Sequence, residues 1–426
     1  MVRQQPSTVS ALRRSSGSLI ERIIAERAVY PVFQPIVDLA TEEVVAVEAL
    51  ARGPAGSPLE FPDALFAAAI SAGLLTELDQ LCFARALETA LEAGPLTPAL
   101  LFVNAEPAGL SRPLSADLAE LIYRGLPFRI VLEFTERALT SRPAALLRLA
   151  DLVHRAGNAV ALDDVGADPA SLAFLPLVKP EVVKLDMHLV RDPYSADTQA
   201  TAAAVSAYAD RSGATVLAEG VETSEDAVNA VALGARWGQG WLFGRPGPLE
   251  AMMGRHRSAP DLANRPQPHI QAAQLDTPFA IASRRHAVRT ANSDMADAVV
   301  DHVVATTLDR GRGGILLCVV NEPGQPPRWL PRLTAAVDRV TYLGLLGGSA
   351  LTDVGDVHAQ RLDDRDSLRE ETTIALLTED FSTALCMRAA GPEDSDTQGL
   401  IEFVHSRDRQ VVQGIIRNIM RRFDTW

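Results

Sequence analysis

RIVLEFTERALTSRPAALLRLADLVHRAGNAVALDDV, residues 129–165, holds one complete strand–helix–strand unit. The apolar runs RIVLEFT and AVALDDV read as strands, and Ala144–Ala156 between them reads as a helix. A helix joining two consecutive strands makes those strands parallel. Working outward, the same alternation runs from Tyr30 to about Pro248. Further strand candidates are VFQPIV, EVVAVEAL, LLFVNA, EVVKLDM, ATVLAEG and the short GQGWLF, with helices over Pro62–Ala72, Glu77–Ala93, Asp197–Ser212 and Ser224–Leu233. Eight such units in about 220 residues fit an α/β fold of the (β/α)₈ TIM-like barrel type. A doubly wound open sheet is the competing arrangement, and no G-x-G-x-x-G follows the first strand to favour it.

The rest of the chain divides around this block. Residues 1–17 are polar and rich in Ser, Arg and Gln, and are expected to be disordered. A helix at about Ser18–Arg27 opens the barrel domain, which extends to residue 256. The stretch 257–274, RSAPDLANRPQPHIQAAQ, reads as a linker. From 275 to 426 a smaller, mixed α/β domain follows. Its strand candidates are FAIAS, GILLCVV, TYLGLLG, TTIALLT and TALCMRAA, with helices near Ser293–Asp309 and Arg407–Phe423. The last helix places Val411, Val412, Ile415, Ile416 and Ile419 on one stripe.

Composition limits the function. The chain has 426 residues and a formal charge of −14, which argues against coating DNA or RNA through a basic surface. Apolar windows such as Ala64–Leu75 are much shorter than the roughly 20 residues that span a bilayer. The first residues lack the apolar core of a signal peptide, and three scattered cysteines make neither a disulfide framework nor a thiolate zinc site. A cytoplasmic protein is expected. Only two of the 40 basic residues are lysines, Lys179 and Lys184, and Lys184 lies inside an apolar strand run. An ammonium is a compact point charge that a guanidinium cannot replace.

In a parallel barrel the C-terminal strand ends converge on one mouth. The polar residues at those ends are Gln34, Glu48, Asn104, Glu133, Asp163 with Asp164, Lys184 with Asp186, Glu219 and Gln239. So many carboxylates in one place repel one another unless cations are bound. Oxygen ligands without His or Cys favour Mg²⁺ or Mn²⁺ over Zn²⁺. The pair Asp163-Asp164 suits a bridge between two ions about 4 Å apart, the spacing of two-metal phosphodiester hydrolysis.

The segments YPVFQPIVD, VEALARG, FVNAEP, LEFTE, ALDDVG, VVKLD, LAEGVE and GQGWLFGRP together resemble the ordered motifs of EAL-type cyclic di-GMP phosphodiesterases. The resemblance implies that Glu48, Asn104, Glu133 and Asp163 ligate a first ion. Asp163 would bridge to a second ion held with Asp164 and by Glu219 or waters. Lys184 would position or help deprotonate the attacking water, with Glu219 the competing general base. Arg52 would hold a substrate phosphate. Gln34 and Leu50 would line the base-binding cleft, and Glu222 and Gln239 would support the ion-bound waters and the far side of the site. Asp186 joins the supporting residues, as does Glu136, which would anchor the loop after Asp164. The implied reaction is in-line attack by an activated water that opens cyclic di-GMP to linear pGpG, in a homodimer.

That loop departs from the family pattern F-G-T-G-Y-S-S. Val165-Gly166-Ala167-Asp168-Pro169-Ala170-Ser171 keeps Gly166 and Ser171, but Pro169 fixes φ and removes a donor. Arg236 replaces a common acidic residue, either as a phosphate contact or as a surface charge pair. The C-terminal domain resembles the DICT sensory domains, which implies a signal, ligand or partner that regulates the barrel. His286, His302 and His358 are too scattered to read as one ligand site. Besides an active phosphodiesterase, two other readings fit the sequence: a catalytically silent cyclic di-GMP receptor, and a signalling scaffold.

Overall fold

The computed structural model describes residues 19–106, 113–135, 139, 142–166, 172–253, 262, 276–321, 327–347, 357–390 and 399–423. The segment 1–17, most of the stretch 257–274, Glu136 and the loop 167–171 lie outside the described residues. The chain falls into two compact units. The first takes Met1–Ala138, Leu149–Ala167 and Pro180–Pro266; the second takes Leu139–Arg148, Asp168–Lys179 and Gln267–Trp426.

The first unit is a closed eight-stranded barrel. Its strands are β1 (Tyr30–Asp38), β2 (Val44–Arg52), β3 (Leu100–Asn104), β4 (Arg129–Thr135), β5 (Ala159–Val165), β6 (Val182–Leu185), β7 (Thr215–Ala218) and β8 (Trp237–Gln239). From β2 to β8 every neighbouring pair is parallel. β1 is antiparallel to both β2 and β8, a departure from the all-parallel sheet expected from the alternation. Its cause is local. Asp38 and Val44 are joined by a short turn, and a turn makes a hairpin where a parallel pair needs a crossover.

Strand periodicity builds the mouth. Ala46, Phe102, Val131, Ala161, Val182, Leu217 and Trp237 all belong to one buried apolar cluster. Each precedes by two positions a polar residue at its strand end: Glu48, Asn104, Glu133, Asp163, Lys184, Glu219 and Gln239. Residues two apart share a strand face, so the apolar set forms a plug and the polar set forms the layer above it. On β1 the order reverses, Gln34 preceding the buried Ile36, as its opposite direction requires.

The second unit carries a seven-stranded sheet in the order β12-β11-β10-β13-β14-β15-β9. These strands are β9 (Arg289–Ala291), β10 (Ile315–Val319), β11 (Tyr342–Gly347), β12 (His358–Arg361), β13 (Glu371–Leu377), β14 (Ser382–Ala389) and β15 (Ile401–Ser406). β10–β11 and β11–β12 are parallel and the other pairs antiparallel, so the unit is mixed α/β as expected. FAIAS is not a strand. Pro278–Ser283 is a helix, with Pro278 in its first turn and Thr277 accepting a hydrogen bond from the Ala280 amide. The final helix, Arg409–Met420, buries the expected stripe of Val411, Val412, Ile415, Ile416 and Ile419. All three cysteines are unpaired. Among the described residues no helix is long and apolar enough to cross a membrane.

Candidate functional site

Lys184 is the centre of the mouth. It extends from the end of β6, only 1% exposed, and four carboxylates, three from other strands and Glu219 from just after β7, surround its ammonium. Nζ lies 2.7 Å from Glu133 Oε1, 2.7 Å from Glu219 Oε1, 2.9 Å from Asp163 Oδ1 and 3.7 Å from Glu48 Oε2. Burial alone works against the charge on Lys184, but Asp163, Glu133, Glu219 and Glu48 overcome it and hold the pKa well above the ordinary lysine range. Burial pushes Glu133 well upward, with the Glu48 charge adding to the effect and Lys184 opposing it. Glu219 is pushed up to about 8 by burial, again against the pull of Lys184.

Asp163 and Asp164 are consecutive, and consecutive strand residues ordinarily face opposite sides. Here the pairing of β5 with β6 shifts register between Leu162 and Val165, and Asp164 takes φ of 58°. The irregularity re-aims a side chain, as bulges do, and Asp tolerates the left-handed region better than most residues. As a result one carboxylate oxygen from each of Asp163, Asp164 and Glu219 lies within 4.8 Å of the others. Glu133 Oε2 is buried with no hydrogen-bond partner among the described residues. An oxygen-only donor set with one orphaned buried carboxylate oxygen fits a hard divalent cation.

Glu48 is held from both sides. Its Oε1 accepts from Asn104 Nδ2 at 2.9 Å and its Oε2 from Gln239 Nε2 at 2.6 Å. Gln239 Nε2 also donates to Gln34 Oε1 at 3.2 Å, and Gln34 Nε2 donates to the Gly244 carbonyl at 3.1 Å. Nine of the residues singled out from the sequence thus meet at this mouth: Gln34, Glu48, Asn104, Glu133, Asp163, Asp164, Lys184, Glu219 and Gln239.

The others lie elsewhere. Leu50 lines a cavity of about 290 Å³ that also borders Asn104. Arg52 donates to the Ala51 carbonyl at 2.8 Å, with its guanidinium 5.9 Å from the Phe61 ring centroid. Asp186 caps the helix Met187–Arg191 through the His188 amide, and Glu222 pairs with Arg191 at 3.0 Å. Arg236 pairs with Asp38 at 3.4 Å, at the strand ends opposite the mouth, so it is a surface charge pair. In the second unit His286 meets Ser406, whereas His358 stacks on Tyr342.

Sequence reading passed over Asp79. This residue lines the same cavity as Leu50, is 5% exposed, and accepts from the Glu106 amide at 3.2 Å. Burial pushes its carboxyl up to about 7. The available signal was helical spacing: Leu75, Leu78, Asp79 and Cys82 fall on one face, so the apolar stripe contains an acid.

The first unit is therefore a TIM-type barrel with an acidic, lysine-centred mouth. Residues 18–246, just over half the chain, match the EAL domain, and the chain belongs to that family. It is 30% identical over 249 residues to the probable cyclic di-GMP phosphodiesterase PdeN of Escherichia coli, covering 56% of this chain and 48% of that one. It is likewise 30% identical over 222 residues to the cyclic di-GMP phosphodiesterase RocR of Pseudomonas aeruginosa, covering 51% of this chain and 57% of that one. The chain thus spans about half the length of these relatives. Among solved structures, the Xanthomonas citri FimX EAL domain in complex with cyclic di-GMP superposes with a TM-score of 0.52 at 20% identity. That match covers 57% of this chain and 97% of that one. The cyclic di-GMP- and cAMP-bound EAL enzyme Bd1971 gives 0.51 at 20% identity, covering 58% and 70%. At this identity the structural matches establish the fold.

Proposed function

We propose that this chain hydrolyses cyclic di-GMP to linear pGpG. The observation that carries the reading is the seating of Lys184 within 3.7 Å of Glu48, Glu133, Asp163 and Glu219, beside the convergence of Asp163, Asp164 and Glu219. The 30% identity to relatives named as cyclic di-GMP phosphodiesterases supports the choice of substrate.

Glu48, Asn104, Glu133, Asp163, Asp164 and Glu219 would hold one or two Mg²⁺ or Mn²⁺ ions. When bound, such ions supply a nucleophilic water at neutral pH and offset phosphate charge. The protein's own groups do the rest. Lys184, whose position its four carboxylate neighbours over-determine, would orient the attacking water with little reorganisation. With a cation beside it to draw its raised pKa back down, Glu219 would accept the proton of the attacking water. Leu50 and Asp79 offer an apolar wall and a polar group to one base in the recess beside Asn104. Arg52 lies on β2 beyond Glu48, and its guanidinium would hold a substrate phosphate.

We read the second unit as a regulatory, DICT-like module and the working form as a homodimer. A second reading, a silent cyclic di-GMP receptor, is favoured by one observation, the replacement of the usual loop residues by Ala167, Asp168 and Pro169. Both are tested by incubating the full chain with cyclic di-GMP and excess Mn²⁺, beside Lys184→Ala, and following pGpG by chromatography. Turnover lost in the variant supports the hydrolase. Tight dinucleotide binding by calorimetry with no turnover supports the receptor.

A further inference from the structure

Gln34 was expected to line the base-binding cleft, and Gln239 to support the far side of the site. We propose instead that they are positioning residues, a two-amide relay that holds Glu48 in place for an ion. The inference rests on the reading of Glu48 as an ion ligand.

A primary amide presents a donor at one end and an acceptor at the other, and nothing intrinsic decides which way it points. At Gln239 the choice matters. With Nε2 towards Glu48 it makes the 2.6 Å hydrogen bond; reversed, it would set a carbonyl oxygen against a carboxylate. Gln239 Oε1 is buried with no hydrogen-bond partner among the described residues, so the orientation is held from the nitrogen alone. What that nitrogen meets, besides Glu48, is Gln34 Oε1. Gln34 is itself oriented, because its Nε2 faces the Gly244 carbonyl, a group that can only accept. One backbone oxygen therefore sets the polarity of Gln34, Gln34 sets that of Gln239, and Gln239 presents a donor to Glu48.

Burial gives the relay its force. Gln34, Gln239 and Glu48 are 9%, 4% and 5% exposed, so water competes poorly for their hydrogen bonds. The fold places the three in line. β1 lies between β2 and β8, Gln34 is the register partner of Glu48, and Ile36 is the partner of Gln239. Both amide ends of Gln34 are committed within the protein.

The test uses the full-length protein and Mn²⁺, with free ion followed by electron paramagnetic resonance. Gln34→Met keeps the length of the side chain and removes both hydrogen bonds. It is expected to weaken Mn²⁺ binding by about 10- to 100-fold, the usual effect of removing a partner behind a ligand. At saturating Mn²⁺ its kcat should recover towards that of wild type. Gln34→Glu retains an acceptor for Gln239 Nε2 and should keep more of the Mn²⁺ affinity than Gln34→Met. It also serves as the second variant should Gln34→Met fail to fold, as judged by thermal denaturation. Because Gln34 acts through Gln239, the double variant Gln34→Met/Gln239→Met should bind Mn²⁺ no more weakly than Gln239→Met alone. Unchanged Mn²⁺ affinity with a raised KM, or additive losses in the double variant, would overturn the relay. If wild type binds Mn²⁺ and Gln34→Met weakens it while neither turns over cyclic di-GMP, the relay stands and the hydrolase reading fails. Failure of wild type to bind Mn²⁺ overturns both.

Discussion

Asp79 gives the barrel a pH-dependent stability whose sign can be worked out. Its carboxyl is 5% exposed, and burial raises its pKa from the ordinary 3.8 to about 7; the Glu106 amide opposes this and the Glu106 charge adds to it. Between those values the folded protein retains a proton that the unfolded chain has released. The native state binds more protons, so stability falls as pH rises across the window. The full contribution is present below about pH 4 and is gone above about pH 7. At about 1.4 kcal/mol for each pH unit, the loss across the window approaches roughly 4 kcal/mol. Asp79→Asn removes the charge while keeping an oxygen that can accept from the Glu106 amide. It is expected to flatten this part of the profile and to be more stable than wild type at pH 8 by a few kcal/mol, at most the same ~4 kcal/mol. Urea denaturation of both proteins from pH 5 to pH 8 measures the difference directly. Parallel profiles would refute the argument, as would a wild type that gains on the variant as pH rises, which is the behaviour of an ionised, paired carboxylate.

Three further outcomes are expected. Lys184→Met leaves Glu48, Glu133, Asp163 and Glu219 without their shared ammonium; a loss of about 3–5 kcal/mol in urea melts is expected, and pGpG formation should fall at least about 10²-fold. Mn²⁺ at about a hundredfold over its Kd should stabilise wild type by about 2.7 kcal/mol, an effect that thermal melts should show to be lost in Asp163→Ala. Gly240, at φ of 159°, has no room for a side chain, because a Cβ there would lie 2.0 Å from the Val221 carbonyl oxygen. Gly240→Ala should therefore cost more than about 4 kcal/mol, and a melt within about 1 kcal/mol of wild type would contradict this close approach to Val221.

The mouth was readable from the chain because strand periodicity does two jobs at once. Val182 and Lys184, or Leu217 and Glu219, are each an apolar plug residue followed two positions later by chemistry, so locating the strand also locates the functional group. The direction of β1 was not readable in the same way. Direction depends on whether the link from Asp38 to Val44 turns back or crosses over, and apolar alternation is blind to that. FAIAS misled because five apolar or small residues suit either element; the decision lay in Thr277-Pro278, a cap followed by a first-turn proline. Asp79 escaped because its carboxylate sits on a helix face otherwise apolar, where composition suggests packing alone. The relay through Gln34 depends on a carbonyl 210 positions away, which no local pattern encodes.

The antiparallel seam of the barrel bears on the order in which the molecule assembles. β1 and β2 are neighbours in sequence and can zip as a hairpin at once, whereas β1 meets β8 only after some two hundred intervening residues have been placed. Such distant pairings carry the larger loop-closure cost and form late. Gln239 rides on β8, so Glu48 receives its second amide only when the last strand docks. A half-made barrel therefore carries an unfinished mouth, and a competent site reports that closure is complete.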